Sequence, residues 1–402
     1  MSILEELNDD AIWDSFLQYK ISNRHLSPKK EKELQAFIAE KKYKDITKHL
    51  SEKAFSFDYP EKICVNKSGS GKKRIVYSFG KSESMVLKVM AFLLYRYDDK
   101  ISPCCYSFRR NSSAKEAIRN VLALPRLDEK YCLKADVSNY FNSIPPAGLI
   151  KVLEEIITDD SPLLSFLNCL LTADKAYENG QLITENRGAM AGIPISPFFA
   201  NVYLLSLDEL FSSKGIPYFR YSDDILIFAD SLTELEDCKA LLQRHIKEKG
   251  LSLNPAKVSV STPGEGWEFL GFCYRQGVVD LSDVTIRKME AKIKRKAHSL
   301  YRWKQKKGAD FDRTAKAMIR TFNKKFFDSA DENAFTWSRW FFPVLTTDSG
   351  LRKLDACLVK YIRFLSSGRH YKGNYRVTYE QIKKLGFRSL VHEYYLFQKP
   401  PC

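Results

Sequence analysis

The sequence has no Cys-x-x-Cys pair. Its nine cysteines are odd in number and scattered from Cys64 to Cys402, with only Cys104 and Cys105 adjacent. Neither a cysteine-ligated zinc site nor a disulfide framework is indicated. No apolar run approaches the ~20 residues that span a bilayer. The first ten residues carry Glu5, Glu6, Asp9 and Asp10 before any long apolar stretch, which is wrong for a secretion signal. Internal repeats and low-complexity linkers are also missing. From these absences we expect a cytoplasmic protein, in a reducing compartment and away from membranes.

What is present is a chain of 402 residues, 44% hydrophobic and 13% aromatic. That is enough for a sizeable core and for two or three domains at roughly 150 residues each. The formal charge of +15 calls for a polyanionic partner, either nucleic acid or an anionic membrane surface. Its distribution says more. Between Arg287 and Lys325 stand fifteen Lys or Arg against three acidic residues. A solvated helix face would explain such a run. The interleaved Tyr301, Trp303, Phe311 and Phe322 favour instead a helical layer with one packed face and one phosphate-facing face. No amphipathic anchor with clustered exposed aliphatics accompanies it, which disfavours the membrane reading.

Periodicity predicts helices over residues 1 to about 55, over Ser84–Asp98, from near Ser113, and over Leu149–Ile157 and Leu163–Leu171. It predicts further helices over Pro197–Leu210, over Thr233–Lys249 with a stop at Gly250, and for most of the chain after Thr285. Strands are expected at Ile63–Val65 and Arg74–Ser78, separated by the turn Lys67 to Lys73. Tyr131–Ala135 reads as another strand, and Tyr218–Ala229 as strand, tight turn, strand.

Two segments carry chemistry. In Phe219-Arg220-Tyr221-Ser222-Asp223-Asp224-Ile225-Leu226, apolar runs flank a turn with adjacent carboxylates. Turns favour Asp for backbone reasons, but two neighbouring carboxylates repel unless a cation offsets them, and hard divalent ions prefer oxygen ligands. In Cys132-Leu133-Lys134-Ala135-Asp136, a third carboxylate ends a short apolar strand. Alone it reads as a cap. If the two strands are neighbours in one sheet, Asp136 and Asp223 converge on one site suited to two-metal phosphoryl transfer.

These segments resemble the catalytic motifs of reverse transcriptases: the Tyr-x-Asp-Asp turn, and a first motif with an aromatic residue five positions after its Asp, here Phe141. Gly192-Ile193-Pro194-Ile195-Ser196-Pro197 through Asn201 resembles the motif that supports template and nucleotide. Leu253-Asn254-Pro255-Ala256-Lys257 and Glu268-Phe269-Leu270-Gly271-Phe272 resemble the late palm motifs. Lys72-Lys73-Arg74 and Tyr106-Ser107-Phe108-Arg109-Arg110 resemble those of the fingers. The elements stand in family order over roughly residues 60 to 275.

The resemblance implies an α+β right-hand polymerase fold. A helical extension would cover 1–58, fingers 59–130, and a palm with an antiparallel sheet 131–275, with part of the fingers inserted at 145–187. A basic helical thumb and C-terminal extension would follow over 276–402. It implies two Mg²⁺, with Mn²⁺ able to substitute, held by Asp136, Val137, Asp223 and Asp224, and Lys257 acting on the leaving pyrophosphate. Lys73, Arg74, Phe141, Gly192, Ser196 and Pro197 would contact the nucleotide, with Phe141 crowding a ribose 2′-hydroxyl and so favouring deoxynucleoside triphosphates. Arg109, Arg110, Asn201, Tyr221, Phe269, Leu270 and Gly271 would contact primer or template. Lys73, Arg74, Arg109, Arg110 and Lys257 read equally as ordinary surface charges. Ala191 departs from the Gln that many relatives carry there.

The tail, including Trp337-Ser338-Arg339-Trp340-Phe341 and Tyr371-Lys372-Gly373-Asn374-Tyr375, is similar to stand-alone bacterial reverse transcriptases of antiphage defence. That similarity implies a non-coding RNA template and a DNA product. Retron or group II intron enzymes are the alternatives, or a maturase-like RNA chaperone without polymerase activity. No nuclease segment with clustered His or Asn follows the palm.

Overall fold

The computed structural model describes residues 1–22, 28–51, 57–66, 73–327 and 336–399. The expected turn Lys67 to Lys73 lies outside them except for Lys73. The chain divides into two compact units, one running up to Glu265 and one from Gly266 onward.

The first unit opens with helices Ile3–Glu6, Asp10–Ser22, Pro28–Ala39 and Lys44–Ser51. Their apolar residues are buried, with Trp13 stacked on Tyr43 at 4.0 Å. Ser2 and Ile3 tie this helical layer to the helix Ser161–Thr172. The Ser2 hydroxyl and the Ile3 N–H both donate to the Asp160 carboxylate at 2.6 Å.

Eleven strands follow among the described residues: β1 Glu61–Asn66, β2 Lys73–Ser78, β3 Tyr131–Asp136, β4 Lys175–Glu178, β5 Gln181–Thr184, β6 Tyr218–Tyr221, β7 Asp224–Ala229, β8 Ser259–Ser261, β9 Trp267–Phe269, β10 Phe272–Arg275 and β11 Val278–Leu281. They form three sheets. The order β2-β1-β4-β5 builds a peripheral sheet, including the hairpin β4–β5 that periodicity does not reveal. The order β6-β7-β3-β8 is wholly antiparallel and central. Ile225, Leu226, Ile227 and Phe228 of β7 have no exposed surface, so this strand is covered on both faces. Part of the cover is the helix Leu232–Glu248, which packs on β3 and β7 and is capped by the Ser231 hydroxyl.

Where periodicity predicts one helix over Pro197–Leu210, two occur, Ser196–Tyr203 and Leu205–Ser213. The break falls at Leu204, whose φ of −101° and ψ of 16° leave the helical region. The predicted helix Ser84–Asp98 is α-helical over Lys81–Leu93 and tightens to a 3₁₀ turn over Leu94–Lys100.

The second unit begins with the sheet β11-β10-β9 and continues through helices Asp283–Lys307, Phe311–Phe326, Trp337–Phe341 and Ser349–Ser367. The long basic helix buries Ile286, Met289, Ile293, Ala297 and Leu300 and packs against Ser349–Ser367, as the interleaved apolar pattern predicts. No helix among the described residues is long and apolar enough to cross a membrane.

Candidate active site

The turn between β6 and β7 is short because Ser222 adopts φ +61°, a left-handed conformation that lets two strands reverse within two residues. Its backbone N–H donates to the Ser107 hydroxyl at 2.9 Å. That hydroxyl donates in turn to Asn201 Oδ1 at 2.7 Å. Directly beneath lies Arg220, fully buried. Its Nε donates to Asp208 Oδ1 at 2.6 Å and its Nη2 to the Asn201 carbonyl at 2.9 Å, while the Tyr218 hydroxyl also donates to Asp208 at 2.9 Å. A buried guanidinium is tolerated only when its donors are matched in this way.

The register then sets the carboxylates. Asp136 lies opposite Asp224 across β3 and β7, and the Val137 N–H donates to the Asp223 carbonyl at 3.0 Å. Side chains directly opposite in an antiparallel pair share a face. Asp136 is 3% exposed. Burial pushes the Asp224 carboxyl up to about 6, with the Asp223 charge adding to the effect. Asp223 is raised as well, by burial and then by Asp136. The end of this sheet therefore holds more negative charge than its surroundings balance.

One cation is already present. The Lys257 ammonium donates to Asp136 Oδ2. The 3₁₀ turn Pro255–Lys257 aims it. Asn254 Oδ1 accepts the Ala256 N–H at 3.2 Å, and the Asn254 N–H donates to the Asp136 carbonyl at 2.8 Å.

As donors, the carboxylates and the backbone oxygen of Val137 suit a hard divalent ion in kind, and the raised carboxyls need the positive charge such an ion carries. Among the described residues, however, no three His, Cys, Asp or Glu side chains stand together closely enough to hold an ion. Strand pairing brings the three aspartates to one sheet end, but Lys257 takes an oxygen of Asp136.

The other expected residues fall into groups. Phe141, half-buried, packs edge-on to Phe108 at 6.4 Å, and Phe108 in turn lies 6.2 Å from Tyr221. Lys73 and Arg74 are exposed at the start of β2. Gly192 has φ +108°, and a Cβ there would come within 2.9 Å of the Tyr77 carbonyl, so only glycine fits this close approach. Ser196 is buried and donates to the Ala189 carbonyl at 2.8 Å, and Pro197 opens the helix it begins. Ala191 is held by its backbone: its N–H donates to Asn142 Oδ1 at 2.8 Å and its carbonyl accepts from Tyr77 at 2.7 Å.

The remaining expected residues have partners within the chain itself, Arg109 among them. Its guanidinium donates to the carbonyls of Asp98, Ser102 and Cys105 at 3.0, 2.9 and 3.2 Å, closing its own loop. Arg110 stacks over Phe92 and Tyr95, both at 4.8 Å, and donates to the Phe92 carbonyl. Asn201 has no exposed surface and serves the turn beneath the aspartates. Phe269, Leu270 and Gly271 belong to the second unit. There the Gly271 carbonyl accepts from Ser282 and Thr285 at 2.9 Å each.

Asp208 and Arg220 were not singled out as functional from the sequence. The signal was available: Arg220 is a charge within the buried strand Tyr218–Tyr221, and such a charge requires a buried partner.

A protein-family model described as "Reverse transcriptase (RNA-dependent DNA polymerase)" matches residues 65–274. Among curated proteins, the chain is similar to "Retron Mx65 reverse transcriptase" of Myxococcus xanthus, 29% identical over 174 residues, covering 41% of this chain and 39% of that protein. It is also similar to "Retron Ec86 reverse transcriptase" of Escherichia coli, 25% identical over 237 residues, covering 57% of this chain and 67% of that protein. The match thus spans well under half the length of the first relative. Among solved structures, apo telomerase from Candida tropicalis aligns with a TM-score of 0.49 at 10% identity, covering 85% of this chain and 61% of that one.

Proposed function

The chain belongs to the reverse transcriptase family and has its α+β right-hand polymerase fold, and from that premise we propose that it is an RNA-directed DNA polymerase that copies a non-coding RNA. The observation that carries this reading is the strand register that sets Asp136 opposite Asp224 and bonds Val137 to the Asp223 carbonyl.

Two Mg²⁺, held by Asp136, Val137, Asp223 and Asp224, would supply charge stabilisation to the primer 3′-hydroxyl and the departing pyrophosphate. The protein's own groups do the rest. Ser222, Ser107, Asn201, Arg220 and Asp208 fix the turn, so that the carboxylates are presented without reorganisation. Lys257 supplies a proton donor beside Asp136. With Asp136 engaged by an ion, the Lys257 ammonium would be free to meet the triphosphate and protonate the departing pyrophosphate. Phe141 lies beside the nucleotide sugar and disfavours a 2′-hydroxyl, and Tyr221 serves the primer or template. Lys73 and Arg74 meet the triphosphate. Phe269, Leu270 and Gly271 serve the primer end.

In this reading residues 59–130 with 145–187 act as fingers, the central sheet as palm, and the basic helices from 276 as thumb. The RNA is a dedicated non-coding template, and the enzyme acts in defence against phage. A retron-type enzyme is the second reading, favoured by the retron reverse transcriptases among its relatives.

The test is to purify the protein from its host with bound nucleic acid and sequence RNA and DNA separately, beside a variant with Asp223→Ala and Asp224→Ala. One enriched RNA, with complementary DNA in the wild type alone, is expected. DNA joined covalently to that RNA would move the reading to the retron type. Bound RNA without dependent DNA would overturn polymerase activity and leave a maturase-like chaperone.

A further inference from the structure

The second unit holds a cavity that the catalytic reading leaves unused. Its origin is local. The helix Ser349–Ser367 stops at Gly368, whose φ of +74° turns the chain back, and the residues that follow fold over the helix end. Asn374, buried, pins this return. Its Nδ2 donates to the Arg369 carbonyl at 2.6 Å, and its Oδ1 accepts from the Ser367 and Ser366 hydroxyls at 2.7 and 3.2 Å. Arg363 Nε adds a bond to the Val377 carbonyl at 3.0 Å. The loop so fixed closes one side of a cavity of about 520 Å³, within the ~300–1,000 Å³ range of small-ligand sites.

The lining is selective in its chemistry. Lys360, Arg363, His370, Tyr371 and Tyr375 contribute to it, and no lining side chain is acidic. The Arg363 guanidinium lies over the Tyr375 ring at 4.7 Å. His370 packs on Tyr361 and Phe364 at 5.1 and 5.0 Å. Partial burial, then Lys360, His298 and Lys294, lower its pKa. Tyr371 and Tyr375 are 51% and 67% exposed, keeping ring faces in solvent that packing elsewhere would cover. Tyr371 is seated against Gly373: a Cβ there would meet its ring at 2.3 Å, so the glycine admits this ring position.

Exposed aromatic faces beside paired cations, with no carboxylate, match an unstacked base and its phosphate. A duplex keeps its base faces inside the stack and cannot offer one. We infer that this cavity takes a single unstacked nucleotide of a single-stranded nucleic acid, its base against Tyr371 and Tyr375 and its phosphate at Lys360 and Arg363. The inference rests on the reading of the chain as a nucleic-acid enzyme and adds a binding place outside the family match at residues 65–274.

The test uses the full chain and a short random-sequence oligonucleotide, as single-stranded RNA and as single-stranded DNA, with a blunt duplex as control. Ultraviolet cross-linking followed by peptide mapping is expected to place adducts at Tyr371, Tyr375 or His370. The double variant Tyr371→Ala, Tyr375→Ala is expected to bind the single strand roughly tenfold more weakly, the order of one base stacked on a ring, and the duplex unchanged. The stronger of the RNA and DNA arms identifies whether the site takes template or product. Lys360→Ala, an exposed change that leaves the loop intact, should also weaken single-strand binding. Adducts confined to other segments, with unchanged affinity in every variant, would overturn the site. Wild-type protein that gives the adduct but whose purified complex carries no DNA dependent on Asp223 and Asp224 upholds the cavity and overturns the polymerase reading. Such DNA without adduct or affinity change does the reverse.

Discussion

Two buried clusters of charge lie at the same end of the central sheet and are built in opposite ways. In the Asp208–Arg220 cluster every strong donor has its acceptor: the guanidinium meets a carboxylate and the carbonyls of Ala200, Asn201 and Ser222, and the carboxylate also accepts from Tyr218. In the Asp136–Asp223–Asp224 cluster only Asp136 is bonded to an ammonium, that of Lys257, while Lys134 and Arg74 act through space alone, and Asp223 and Asp224 have raised pKa values. The first cluster is complete within the chain. The second needs positive charge from outside. A site that binds and releases a charged ligand has to be incomplete on its own, and its incompleteness is affordable only because the neighbouring cluster holds the turn rigid.

Removing the carboxylates separates the two most strongly. Asp223→Ala with Asp224→Ala should lower DNA synthesis by about 10⁴-fold, roughly 5.5 kcal/mol of barrier, measured by primer extension, while the unfolding midpoint stays level or rises as repulsion is relieved. A fall in stability equal to that of a core lesion would erase the contrast. Asp208→Ala should do the opposite kind of damage. Leaving Arg220 buried and unpaired costs about 3–5 kcal/mol, read from urea unfolding, with activity lost only through loss of folded protein.

Added Mg²⁺ sharpens the comparison further. At a hundred times its dissociation constant it should stabilise the wild type by about 2.7 kcal/mol and the double Asp→Ala variant by far less. Equal stabilisation of both would place the ion elsewhere. Lys257→Met, which removes the ammonium from Asp136, should slow primer extension by roughly 10²-fold and tighten Mg²⁺ binding, since the ion no longer competes for that carboxylate. The smallest effect is selective. Phe141→Ala should raise ribonucleotide incorporation relative to deoxynucleotide by about tenfold, the scale set by a missing steric contact. Unchanged discrimination would remove Phe141 from the nucleotide site.

Much of the carboxylate site was readable before folding, because its residues are neighbours in sequence or end predicted strands. Tyr131–Asp136 and Tyr218–Ala229 are apolar runs bounded by polar turns, and their pairing follows from burial. Arg109, Arg110 and Asn201 were not readable in the same way. A sequence gives an arginine's donors but not its acceptors, and the carbonyls that hold Arg109 come together only when its loop closes. Asn201 ends a largely apolar motif, and the helix it sits on turns it inward under Ser222, an orientation that the spacing alone does not reveal. The hairpin β4–β5 was missed because its strands are four residues long and mostly exposed, leaving no alternation to detect.

By itself the sequence determined the chemistry available: which carboxylates exist, which strands carry them, and that the basic charge is gathered after Arg287. These are local properties, set by side-chain type and by apolar periods of two or 3.6 residues. The tertiary structure decided who meets whom. It put Asp136 opposite Asp224, gave Asp208 to Arg220, spent Arg109 on its own loop, and left Tyr371 and Tyr375 facing solvent above Lys360 and Arg363. Such pairings depend on register and loop closure across long stretches of chain, and those are settled by burial of the whole core rather than by any segment alone.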